Sequence, residues 1–181
     1  ATGYVGEVLS CHISLVRGEP VGRPAARTWQ RDASLGANTL TIAAGHTLDA
    51  LRFVTSDYSR IASVVATQVK QWLNTDTQQM IDVTSPDNVL VNARLSTGAV
   101  VAAHIAAVPW AGSGYRMEIY GREGTLVVTS DESPQLREVR LFGARGNNSL
   151  QPLEIPPKFV FVPDSMPKGS PYVVGQMYHD V

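Results

Sequence analysis

The sequence predicts an α+β fold: an open, predominantly antiparallel β-sheet with helices packed on one face. Three observations carry that prediction. Apolar and polar residues alternate in several runs, first in Leu9, Cys11, Ile13 and Leu15 against Val8, Ser10, His12 and Ser14, which is the period of a half-buried strand. Glycine-bearing turns such as Ser96-Thr97-Gly98 and Gly121-Arg122-Glu123-Gly124 separate such runs and suit hairpins. Long helical periodicity is confined to one stretch, Asn38 to Thr55. With 181 residues and 44% hydrophobic content, the chain suits one domain, 1–181, with a sizeable core.

The elements follow in order. Glu7 to Val16 is the first strand, with His12 on the serine-bearing face and Cys11 on the apolar one. Asn38 is a fitting N-cap for the helix, and a projection of about 100° per residue puts Leu40, Ala44, Leu48, Leu51 and Val54 on one stripe, the core face. Ile42, His46, Asp49 and Phe53 stack on the other side, too apolar a face for water alone. Ile61 to Lys70 is ambiguous by period, but its β-branched residues favour a strand. Asn88 to Leu95 and Ala99 to Val108 form the clearest hairpin, with Gly98 supplying a positive φ; His104 falls inside its second arm. Val108 to Gly114 is a loop that exposes Trp110, an aromatic surface suited to a sugar face or to an interface. Tyr115 to Tyr120 and Thr125 to Thr129 continue the sheet. Leu136 to Phe142 and Phe159 to Val162 are further strands, and Pro152, Pro156 and Pro157 belong to an edge or a loop. A helix begins around Pro171.

Composition narrows the function. A formal charge of -1 and scattered Lys and Arg give no grip on a polyanion, so nucleic acid is not an expected ligand. A single cysteine excludes a disulfide framework, and Cys11 reads as a core residue. No apolar run nears the roughly 18 residues that would span a bilayer, so no membrane partner and a cytoplasmic setting are expected. No metal site is expected either. No strand leads into Gly-x-Gly-x-x-Gly, so this piece is not expected to hold a dinucleotide by itself.

Trp29-x-x-Asp32, the Gly36-Ala37-Asn38 step, Leu40-x-x-x-x-Gly45-His46-x-x-Asp49, the 91–101 hairpin and Tyr115 to Val127 occur in an order that resembles the C-terminal domain of the glucose-fructose oxidoreductase, inositol dehydrogenase and MocA family. That resemblance implies a tryptophan-bearing strand end, a glycine turn and a helix carrying a catalytic histidine. It makes His46 a proton donor or acceptor beside the substrate carbon, with Trp29, Asn38, Thr41 and Ile42 shaping the substrate pocket. It also implies NAD or NADP, bound mainly by a preceding Rossmann domain that is absent from this chain and that contributes a lysine within Glu-Lys-Pro; both chain ends read as cut. The implied partners are that nucleotide-binding domain, a small sugar or polyol, and further copies of the protein packed through the apolar sheet face. Family enzymes usually carry Asp four residues before the histidine, where this chain has Ile42. A carboxylate there would orient the imidazole, whereas isoleucine can only wall the pocket. The departure leaves two functions, an NAD(P)-dependent sugar or cyclitol dehydrogenase or a ligand-sensing regulator similar to the fungal galactose-repressor branch, beside the blander alternative of a structural or interaction domain with no small ligand.

Overall fold

The computed structural model describes residues 3–163, 165–167 and 169–178. Its elements are β1 (Val8–Gly18), β2 (Gly22–Arg23), α1 (Gly45–Val54), β3 (Tyr58–Ala66), β4 (Gln71–Asn74), β5 (Gln79–Asp82), β6 (Asn88–Leu95), β7 (Val100–Val108), β8 (Gly114–Gly121), β9 (Gly124–Ser130), β10 (Arg140–Arg145), β11 (Gln151–Leu153) and α2 (Ser170–Tyr178). Eight strands form one open sheet in the order β11-β10-β9-β8-β1-β7-β6-β3, and β2, β4 and β5 form a small second sheet. In the large sheet every neighbouring pair is antiparallel except β1 and β7. The expected α+β architecture is the one observed.

Alternation positions the core. Cys11, Ile13 and Leu15 of β1 are buried beside Val89 and Val91 of β6, Val101, Ala103 and Ile105 of β7, and Met117 and Ile119 of β8. Ala43, Ala44 and Leu51 pack onto this face from the segment leading into and along α1, and the Tyr58 hydroxyl donates to the Leu48 carbonyl at 2.8 Å, tying α1 to β3. The hairpin between β6 and β7 turns at Gly98 with φ 98°, as expected. The second helix begins with Ser170-Pro171. Gln176 ties it to Phe159, Phe161 and Val162 through their backbone groups. Residues His179 to Val181, the cut end of the sequence reading, lie outside the described residues.

Several boundaries differ from expectation, each for a local reason. Leu9 is exposed because the register shifts between Val8 and Ser10; a bulge adds one residue and turns the next side chain to the other face. The 61–70 strand starts earlier and ends at Ala66, where Asp87 accepts from the amides of Gln68 and Val69 and draws the chain away. The 136–142 strand slides to Arg140–Arg145. Phe159 to Val162 is not a strand: Pro156 and Pro157 fix φ, and a short 3-10 turn follows. The strand that pairs with β10 is instead Gln151–Leu153, with Pro152 on the sheet edge, where a missing amide costs least. The small sheet was not expected, since strands of two and four residues are too short to show a period.

Candidate functional site

The helical segment that carries His46 begins with a full capping box. Asn38 Oδ1 accepts from the amides of Leu40 and Thr41 at 3.0 and 3.2 Å, and the Thr41 hydroxyl accepts from the Asn38 amide at 3.2 Å. The next turn, Thr39–Ala44, is a wide π turn, a form that concentrates at functional sites. It shifts the helical phase, so Thr39, Ala43 and Ala44 are buried and Leu40, expected in the core stripe, is 39% exposed. Regular α-helix resumes at Gly45, with Thr47 and Leu51 buried and Leu48 and Val54 packed at the rim of the core.

The opposite face is open. Ile42 is 45% and Phe53 87% exposed, and His46 and Asp49 between them are also exposed. Asp49 pairs with Arg52 at 3.2 Å. Among the described residues the imidazole of His46 has no hydrogen-bond partner, and none of them selects its tautomer.

A cleft of about 220 Å³ opens where the helix start meets the ends of β1 and β7. Arg17 continues the buried row of Cys11, Ile13 and Leu15 on the same strand face, so the core gives way to charge at the sheet's end. Glu19 bridges Arg17 and Arg23 at 2.6 Å each, and Arg23 stacks on the Trp72 ring, 4.7 Å from its centroid. Arg27, Asn38, Ile42 and Asp87 complete the polar and apolar lining that matters here. Three arginines, Arg17, Arg23 and Arg27, meet at this cleft, while the other basic residues are scattered as expected. Sequence reasoning missed the cleft; the closest signal was the crowding of Arg17, Arg23, Arg27 and Arg31 into fifteen residues.

Of the expected site residues, Asn38 and Ile42 line the cleft. His46 stands one turn beyond Ile42 on the exposed face. Thr41 lies outside the cleft, its hydroxyl spent on the cap and on the Gly36 carbonyl. Trp29 also lies outside it, 48% exposed, in a 3-10 segment, Ala25–Arg31, and not at a strand end. His12 pairs with Glu118 at 3.1 Å on the sheet face away from α1, His104 sits 3.4 Å from Asn88, and Trp110 is 82% exposed. Burial pushes the Cys11 thiol up to about 11, so it stays protonated and unreactive near neutral pH.

A Cβ on Gly112 would meet the Val16 carbonyl oxygen at 2.1 Å, so that glycine admits a neighbouring strand and not a pyrophosphate. Among the described residues no three His, Cys, Asp or Glu side chains are grouped to hold a metal, and no helix is long and apolar enough to cross a membrane.

A family model described as the Gal80p C-terminal domain matches residues 1–130. An uncharacterized oxidoreductase of Synechocystis sp. is 24% identical over 161 residues, 88% of this chain and 43% of that protein. Levoglucosan dehydrogenase in complex with NADH and levoglucosan superposes with a TM-score of 0.76 at 18% identity, over 98% of this chain and 49% of the enzyme. A super-repressor mutant of Gal80p from Saccharomyces cerevisiae gives a TM-score of 0.78 at 19% identity, over 98% and 47%. At these identities the likeness to both structures is one of fold. The chain spans about half the length of the proteins it matches.

Proposed function

The chain belongs to the Gal80p C-terminal-domain family, in keeping with the resemblance drawn from its sequence, and from that membership we propose that it is the substrate-binding and oligomerisation domain of an NAD(P)-dependent sugar or cyclitol dehydrogenase. The observation that carries the reading is the open helix face on which His46 stands between Ile42 and Phe53. An apolar face of that kind, with an unpartnered imidazole in it, fits a surface that a second module covers. In this reading a nucleotide-binding module precedes the domain and carries NAD or NADP, which accepts hydride. The residues of this chain do the rest: Ile42 and Phe53 keep water from the face that the second module covers, Asn38 borders the substrate, Thr41 fixes the helix start, and His46 takes the hydroxyl proton. The full-length protein is proposed to be cytoplasmic.

The sheet face away from α1 exposes Val64, Leu90 and Val100. Their partner is proposed to be a second copy of the protein, since an open sheet leaves such a row uncovered.

The test is turnover by the full-length protein with neutral and acidic sugars and cyclitols, followed by reduced nicotinamide. His46→Ala should lower kcat by about 10² to 10⁴, the share of a general acid or base, with the fold unchanged by circular dichroism. Wild-type turnover in that variant removes His46 from the mechanism. A second reading, a regulator that binds a sugar or dinucleotide without turnover, is favoured by one observation: Ile42 stands where a carboxylate would orient His46. Ligand binding with no turnover of any polyol is the outcome that selects it.

A further inference from the structure

Among the charged and capping groups of the cleft beside the helix start, donors outnumber acceptors. Both oxygens of Glu19 are engaged by Arg17 and Arg23. Both oxygens of Asp87 are engaged as well, by the amides of Gln68 and Val69 and the side chain of Asn88. The carbonyl oxygen of the Asn38 side chain is consumed by the cap. The donors are not matched in this way. Among the described residues the Arg27 guanidinium has no partner, the Asn38 amide NH2 meets no acceptor, and the Nε atoms of Arg17 and Arg23 are buried without a hydrogen bond. Each guanidinium carries five N–H groups in a planar fork, and Glu19 satisfies only one nitrogen of each neighbour.

A ligand that fits this imbalance brings oxygens that accept and no surplus of donors. Three guanidinium groups face two carboxylates, leaving one net positive charge, which a single carboxylate balances. A phosphomonoester, at roughly -1.5 to -2, would overshoot it. The remaining walls, Trp72, Ile42 and Val108 among them, suit the C–H faces of a small organic body. From these observations we infer that the cleft binds the carboxylate of a small sugar acid or polyol acid, with Arg27 as the accessible clamp and Arg23, held by Trp72 and Glu19, as the fixed one. The inference deepens the dehydrogenase reading by naming the substrate's anionic end, because Ile42 belongs both to the cleft and to the helix face of His46.

Binding to the full-length protein without nicotinamide cofactor tests it, by calorimetry at fixed ionic strength with gluconate, glucuronate, glucose and inorganic phosphate. Gluconate or glucuronate should bind at least about tenfold more tightly than glucose and more tightly than phosphate. Arg27→Gln should remove most of that preference, about a tenfold loss or 1.4 kcal/mol, and leave glucose unchanged. Arg122→Gln, which removes a positive charge paired with Glu7 elsewhere, should leave gluconate binding intact. Equal affinity for gluconate and glucose, an unaffected Arg27→Gln, or phosphate as the tightest ligand would overturn the assignment. Acids that bind without being turned over sink the dehydrogenase reading and leave this one standing. Turnover of neutral polyols that gluconate neither joins nor inhibits does the reverse.

Discussion

Replacing Leu51 with alanine tests how α1 is seated and, with it, what aims His46 outward. Leu51 is fully buried, facing the sheet, whereas Leu48, one turn-step back, is only partly buried at the rim. The substitution removes three buried carbons at about 0.8 kcal/mol each and leaves a cavity, since Leu51 is walled by the sheet and cannot be replaced by a shifting neighbour. Together these give about 3 to 5 kcal/mol. For a chain of this size that lowers Tm by roughly 6 to 20 °C. Leu48→Ala, which gives up less buried area and opens its gap to water, should cost about 1 to 2 kcal/mol. Urea unfolding followed by circular dichroism reads both. The reasoning fails if the two variants lose the same stability, or if Leu51→Ala loses under about 1 kcal/mol, because either result would mean that α1 is not held by the face the structure shows.

Three other outcomes are expected. Burial pushes the Cys11 thiol from 9.0 up to about 11 and the Tyr58 hydroxyl from 10.0 up to about 12, and a raised folded pKa means that the native state holds protons the unfolded chain has released. Stability should therefore be fully present below about pH 9 and fall as pH rises through 11 to 12; Cys11→Val should delay the onset by about one pH unit, and a flat urea midpoint up to pH 12 would contradict this. Gly98→Ala should cost about 1 to 2 kcal/mol, all of it backbone, since no atom lies within 4 Å of the added methyl but φ is 98°; an unchanged melting temperature would mean the turn re-forms in another geometry. Val64→Lys with Leu90→Glu, an opposite-charge pair at facing positions of β3 and β6 on the exposed sheet face, should convert the proposed oligomer to monomer in sedimentation without lowering the stability of the monomer, and an unchanged mass would move the interface elsewhere.

How far the fold could be read depended on the range of the forces that set each element. Residues Cys11 to Leu15, the 88–108 hairpin and the Asn38 cap announce themselves because their signals are local: period, a glycine with positive φ, a side chain that caps the amides two and three residues on. The errors came where distant groups decide. The 61–70 strand ends early because Asp87, some twenty residues ahead, offers its carboxylate to two amides. Residues 159–162 are apolar enough for a strand, but the edge of β10 was already taken by Gln151–Leu153, and the paired prolines forbid the approach. The exposure of Leu9 follows from one inserted residue that no local pattern marks.

The site divides in the same way. His46 and Ile42 were legible because both sit on one helix face, and the face stays open in the structure whatever the phase of the turn before it. The cleft was not legible, since its charges belong to strands, turns and loops from Arg17 to Asp87 and meet only because β1 and β7 run parallel, with Gly18 opposite Val108. A parallel pair cannot be closed by a tight turn, so the chain between its strands is long, and here it is that intervening chain, with the small sheet and the capped helix inside it, that delivers Arg23, Arg27, Trp72 and Asn38 to the pair's end. The π turn completes the arrangement. By widening one turn it keeps Ala43, Ala44 and Leu51 on the sheet while Ile42 stays at the cleft and His46 remains exposed beyond it, so a single helix can serve a buried core, a charged cleft and an open docking face at once.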